Sequence, residues 1–142
     1  MFLDSKGDRI DMVRTLIVED SALFRQVFQE ALHSRFPSME IVEAARGEDA
    51  LERIRERLPD LVFIDINLAG ENGLELAKQI KIQYPNLVTI ILTNYDLPEY
   101  REAAFQYKAN HFLPKDSFLK MVDTLFPARQ DDRDDNPPKT RR

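Results

Sequence analysis

Five short aliphatic runs, each followed by a stretch of helical period, constrain the fold of this chain more than any other feature. The runs are "TLIVE" (15–19), "MEIVEA" (39–44), "LVFID" (61–65), "LVTIILT" (87–93) and "NHFLP" (110–114). After the first come Phe24, Val27, Phe28, Ala31 and Leu32; after the second, Ala50, Leu51, Ile54 and Leu58; after the third, Leu76, Ala77, Ile80 and Tyr84. Tyr100, Ala103, Ala104 and Tyr107 follow the fourth, and Phe118, Leu119, Val122, Leu125 and Phe126 the fifth. Each set repeats at i, i+3/i+4 and i+7, the period of a helix burying one face. Strand and helix therefore alternate five times, and the third and fourth runs are almost wholly apolar. A parallel sheet covered by helices on both faces is the architecture this pattern requires.

Helix boundaries agree. Pro59, Pro85 and Pro127 fall just after helical patterns, Pro98 suits a first helical turn, Asp20 or Ser21 can cap the first helix, and Asp116 or Ser117 the last. Pro114 removes a ladder donor at a strand end and fits less well. The expected organisation is an N-terminal extension (1–13), one domain (14–127) and a disordered C-terminal tail (128–142), whose Pro137-Pro138 and mixed charges show no apolar period.

The chain has 142 residues, of which 43% are hydrophobic and 32% charged, as expected of a single globular domain. No apolar run approaches the about 20 residues of a membrane helix, and the N-terminus lacks the apolar core of a signal peptide, so a cytoplasmic protein without membrane contact is expected. The absence of cysteine removes disulfides, thiolate metal sites and thiol nucleophiles. A net charge of −5 argues against direct nucleic-acid binding, which rests on neutralising phosphates with Lys and Arg.

In a parallel sheet all strand C-termini meet at one edge, where ligands bind. Here the first run ends in Glu19-Asp20, the third in Asp65 and the fourth in Thr93, and Lys115 follows the fifth, whereas the second ends blandly in Glu43-Ala44-Ala45. Taken singly, each polar residue is most simply a solvated strand end, a cap, a strand hydroxyl or a surface lysine. Their joint placement makes a constellation. Three close carboxylates raise one another's pKa and call for a cation, and oxygen ligands without Cys or His favour a hard ion, Mg²⁺. Lys115 supplies a mobile positive charge and Thr93 a donor for a phosphoryl oxygen. Asp65, at a rigid strand end, is the expected nucleophile, giving an acyl phosphate. His33 and His111 are expected to be structural. "ARGEDALERIRERL" contains no phosphate-cradling loop and reads as a solvated helix face.

With these residues in place, the chain closely resembles the receiver domain of two-component response regulators. "LIVEDSALFRQVF", "DLVFIDINLAGENGLEL", "ILTNYD" and "NHFLPKDS" match its motifs in order and spacing from about Arg14 to Pro127. The resemblance implies a flavodoxin-like, doubly wound (βα)5 sandwich with a parallel five-stranded sheet in the order 2-1-3-4-5. It also implies roles. Asp65 is the phosphoacceptor, Asp20 a direct Mg²⁺ ligand, Glu19 its water-mediated partner, and the backbone carbonyl of Asn67 a further ligand. Thr93 is the switch hydroxyl, Lys115 the conserved lysine and Phe112 the switch aromatic, expected to rotate inward when Thr93 moves toward the phosphoryl group. The implied donor is a phosphohistidine on a sensor histidine kinase or histidine phosphotransfer protein, and the output a downstream protein target, with a phosphorylation-dependent homodimer as one form.

Some positions depart from the family pattern: Ala69 stands where proline is usual, Asn94 where a small residue is common, Lys108 where glycine is frequent, and Pro114 precedes Lys115. The expectation is a stand-alone signalling module that turns over no external substrate. The alternatives are the receiver portion of a helix-turn-helix DNA-binding regulator and, more distantly, an aspartate-nucleophile phosphohydrolase. That last family wants a second Asp where Asn67 stands. A flavodoxin-like mononucleotide binder is disfavoured by acids in the first loop.

Overall fold

The computed structural model describes residues 13–118. They run β1 (Arg14–Val18), α1 (Ala22–Arg35), β2 (Glu40–Ala44), α2 (Gly47–Glu56), β3 (Leu61–Asp65), a hairpin of β4 (Asn67–Leu68) and β5 (Glu71–Asn72), α3 (Gly73–Gln83), β6 (Val88–Thr93), α4 (Pro98–Gln106) and β7 (His111–Pro114). A 3₁₀ turn, Lys115–Ser117, follows. The main sheet is parallel and ordered β2-β1-β3-β6-β7. Because the hairpin takes two numbers, this is the expected 2-1-3-4-5 order of the five sheet strands. The expected fifth helix beyond Phe118, the N-terminal extension up to residue 12 and the C-terminal tail lie outside the described residues.

Period-2 alternation divides the strands between two cores. Leu16, Val18, Val62, Ile64 and Ile91 face one way and pack with Ala50 and Ile54 of α2, Leu76, Ala77 and Ile80 of α3, and Ala104 of α4. Ile17, Leu61, Phe63, Ile90 and Leu92 face the other way, against Phe28 and Leu32 of α1 and Phe118. Phe28 stacks on Phe118 at a centroid distance of 3.8 Å and meets Phe63 edge-on at 4.8 Å. All five residues of β3 are buried, as a central strand covered on both faces requires.

Local chemistry sets the element ends. Ser21 caps α1, its hydroxyl accepting from Phe24 N–H at 3.2 Å. Pro98 occupies the first turn of α4. Pro114 ends β7, an edge strand, where the missing donor costs little. Two expected helix positions differ. Leu58 is exposed beyond the end of α2, because a residue before proline is disfavoured in helix and Pro59 follows. Val27 lies on the half-exposed flank of α1, while Phe28 and Leu32 take the core.

Candidate functional site

The ends of β1 and β3 bring the expected acids together. Glu19, Asp20 and Asp65 each present a carboxylate oxygen within 4.8 Å of the others. Glu19 and Asp65 are buried and Asp20 is exposed. Lys115 reaches across from the end of β7: its Nζ lies 2.7 Å from Glu19 Oε1 and 3.4 Å from Asp65 Oδ2. The ring of Phe24 lies against the same ammonium, 4.4 Å from its centroid. The second oxygen of Glu19, Oε2, accepts from Ser21 N–H at 2.9 Å. Burial raises the pKa of Glu19, against the opposing pull of Lys115 and the Ser21 amide, while the charge of Asp65 adds to the rise.

Asp65 Oδ1 is buried without a hydrogen-bond partner. A buried carboxylate oxygen left unpaired is costly, so the oxygen is poised for a ligand. The donor set around it is oxygen only and acidic, which fits a hard divalent ion and not a thiolate- or imidazole-bound one. Glu19, Asp20 and Asp65 are the side chains that could hold it.

The residues expected to switch, Thr93 and Phe112, lie on the next two strands, β6 and β7. Thr93, fully buried at the end of β6, donates its hydroxyl proton to the Tyr95 carbonyl at 2.8 Å and accepts from Tyr95 N–H at 3.0 Å. Its hydroxyl is thus engaged in its own turn and not with the carboxylates. Phe112 is buried in the α2–α3–α4 core, with the Arg101 guanidinium 4.8 Å above its ring and Arg101 paired to Asp96 at 2.8 Å. The inward position expected only after a switch is therefore the one this conformation holds. Asn67 opens the hairpin two residues past Asp65 and is exposed. His33 donates from Nε2 to the Met39 carbonyl at 3.0 Å, a structural role, and His111 is half-buried on β7.

Several supporting residues escaped sequence reasoning. A Cβ on Gly73 would fall 2.0 Å from the carbonyl oxygen of Asp65, so only glycine lets α3 start against the Asp65 backbone. Glu71 accepts from Gly47 N–H at 3.0 and 3.2 Å, capping α2 from the hairpin. Arg25 donates from Nη1 to the Glu19 carbonyl and from Nε to Glu43 Oε1 at 2.6 Å. The "GENG" glycines signal the hairpin, but nothing in the spacing of Arg25 or Glu43 announces their contact.

A family model described as the response regulator receiver domain matches residues 15–125. The chain belongs to that family. Among curated relatives, the sensory transduction protein LytT of Bacillus subtilis is 37% identical over 73% of this chain and 42% of its own length. A protein-glutamate methylesterase/protein-glutamine glutaminase of Pyrococcus abyssi is 35% identical over 74% of this chain and 29% of its own length. The receiver thus spans less than half of either relative. Among solved structures, the signal receiver domain of NarL from Mycobacterium tuberculosis superposes with a TM-score of 0.72 at 30% identity, covering 80% of this chain and 92% of that one. The Mn²⁺-bound form of the response regulator Rcp1 gives 0.69 at 25% identity, covering 80% and 91%. Among the described residues of the receiver no helix is long and apolar enough to cross a membrane.

Proposed function

We propose that this receiver accepts a phosphoryl group on Asp65 from a phosphohistidine, in a Mg²⁺-dependent transfer, and so switches a protein-binding surface in the cytoplasm. The observation that carries the reading is the unpartnered, buried Asp65 Oδ1 at a rigid strand end beside Glu19, Asp20 and Lys115. An Asp65 oxygen attacks phosphorus in line, the donor's P–N bond breaks, and the acyl phosphate remains on Asp65. Mg²⁺ held by Asp20 and Asp65, with Glu19 through water and the Asn67 carbonyl, would supply positive charge at the transferring oxygens. Lys115, already between Glu19 and Asp65, is within reach of a new phosphoryl oxygen. Phosphorylation adds about −1.5 to −2 charges, which draws the Thr93 hydroxyl from Tyr95 toward the site. Because Phe112 is already inward, the Thr93–Tyr95 turn is the element left to move.

Acetyl phosphate with Mg²⁺ is the direct test. Intact mass should rise by one phosphoryl group in wild type and not in Asp65→Asn, and removing Mg²⁺ or changing Asp20→Ala should abolish the gain. Steady multiple turnover of phosphate esters would instead establish a phosphohydrolase. The downstream partner should separate phosphorylated wild type from Asp65→Asn in a pull-down; equal capture by both rejects phosphorylation control.

A second output reading has a specific support. The chain covers less than half of LytT, and a structure described as a DNA-binding response regulator of the LuxR family from Staphylococcus aureus superposes at 0.71 with 25% identity. On this reading the receiver is the regulatory portion of a DNA-binding regulator. Phosphorylation-dependent binding of duplex DNA by the native gene product would decide for it, and purely protein-bound output would decide for the first.

A further inference from the structure

The end of β2 reads as bland in the sequence, yet its Glu43 is joined through α1 to the acid turn. Glu43 Oε1 accepts from Arg25 Nε at 2.6 Å and Oε2 from Gln29 Nε2 at 2.9 Å. Arg25 in turn donates from Nη1 to the carbonyl oxygen of Glu19. The guanidinium is largely sheltered, with its side chain 17% exposed. Its planar fork reaches two acceptors that a single ammonium would serve poorly.

The acceptor on the Glu19 side is a backbone carbonyl, and this decides what the contact does. The peptide unit is planar, so the group that fixes the Glu19 carbonyl also fixes the N–H of Asp20 and the direction in which the Asp20 chain departs. Asp20 is the exposed member of the three acids and would otherwise be the freest. The rest of the turn is already held: Glu19 N–H donates to the Ala44 carbonyl at 3.0 Å, and the Glu19 carboxylate meets Ser21 N–H and Lys115. These contacts leave the peptide joining Glu19 to Asp20 unheld, and Arg25 holds it, which narrows the directions open to the Asp20 side chain.

We infer that Arg25, oriented by Glu43 and Gln29, is a positioning residue that aims the Asp20 carboxylate at the divalent-cation site. This rests on the Mg²⁺-dependent reading above and deepens it. Electrostatics alone gives the opposite sign for removing Arg25. A positive charge next to a cation site repels the ion, so deleting it should tighten binding. A residue that preorganises a ligand should weaken binding when deleted, typically by tenfold or more for partners that orient metal ligands.

The test is Mg²⁺ affinity read directly, from amide shifts around Asp20 and Asp65 in a Mg²⁺ titration followed by NMR, on wild type, Arg25→Met and Arg25→Lys. Arg25→Met keeps the aliphatic stem, and should raise the Mg²⁺ Kd about tenfold. Its phosphorylation rate with acetyl phosphate should return to within about twofold of wild type once Mg²⁺ saturates, as expected when binding and not the transfer step is lost. Arg25→Lys keeps the charge but not the fork, and should remain weaker than wild type. An unchanged or lower Kd in Arg25→Met, or full rescue by Arg25→Lys, overturns the inference while leaving the phosphoacceptor reading intact. If Arg25→Met does not fold, Arg25→Lys alone decides. A wild type that neither binds Mg²⁺ nor gains a phosphoryl group overturns both.

Discussion

The two halves of the sheet's working edge are built differently. Where β1 and β3 end, the backbone is firmly held: Glu19 by Ser21, Ala44, Lys115 and Arg25, and the Asp65 segment against α3 through Gly73, whose N–H donates to the Ile66 carbonyl at 2.7 Å. Past the end of β6, from Tyr95 through α4, the cover is thinner. In α4 only Ala104 is fully buried, Leu97 at its N-cap contributes no side-chain bond, and Tyr95 beside the Thr93 hydroxyl is 63% exposed. Few buried apolar contacts and exposed turns are what a locally mobile element requires. The half that carries the three acids is the more firmly held, and the half that leads through α4 is the looser.

The largest expected effect breaks the fixed half. Gly73→Ala places a methyl 2.0 Å from the Asp65 carbonyl and 2.8 Å from Ile66 Cα, both backbone atoms that cannot rotate away. The start of α3 must shift, at a cost of about 3 kcal/mol or more in urea unfolding. A loss below about 1 kcal/mol would mean that this half yields and that the contrast between the halves is overstated.

The next effect runs the other way, on the loose half. Lys108, between α4 and β7, has φ +69° and so carries the left-handed backbone that glycine adopts freely. The family's frequent glycine at this position has its reason here. Lys108→Gly should stabilise the receiver by about 0.5–1 kcal/mol, the relief of strain exceeding the added freedom of the unfolded chain. A destabilised variant would mean the lysine makes up the strain through contacts of its own.

Much of this site was legible in the sequence, because period-2 and period-3.6 patterns fix which residues end parallel strands, and topology then carries those ends to one edge. Glu19, Asp20, Asp65 and Lys115 converge for that reason. Arg25, Glu43, Glu71 and Gly73 were not legible, since their roles depend on how a helix lands on a strand end, which no local pattern records. Phe112 illustrates the same limit: its place in the motif names it, but only packing against Arg101 says which way the ring points. Leu58 shows a local rule overriding a periodic one, with the following Pro59 ending the helix before the pattern does.

A smaller gain should come from the hairpin beyond Asp65. Gly70 has φ +70° while Ala69 does not enter the positive region, the φ signs of a two-residue type II turn with Ala69 at its second position. Proline suits that position, and Ala69→Pro should add about 0.5 kcal/mol by restricting the unfolded chain. The loop is already held by Glu71 on Gly47, so phosphorylation should be unaltered. A large gain would show that the departure from the family's proline had left the fixed half slack.

The smallest effect sets the acid edge against the start of β7, by the sign of their pH dependence. Burial raises the pKa of Glu19 above its ordinary 4.5 and lowers that of His111 below its ordinary 6.5. For Glu19 the folded state holds the proton more tightly, so its contribution is present at low pH and is lost as pH rises through the folded value. His111 does the reverse. Above 6.5 it is neutral whether folded or not and costs nothing; as pH falls, the unfolded chain takes a proton that the folded chain resists, and stability declines toward the lowered folded value. His111→Gln should therefore flatten the rise of urea midpoint with pH between about 5 and 8, leaving the value at the upper end nearly unchanged. The slope surviving in His111→Gln would assign it to another group. A flattened profile instead places a proton-sensitive residue at the start of β7, the strand that carries Phe112 and leads to Lys115.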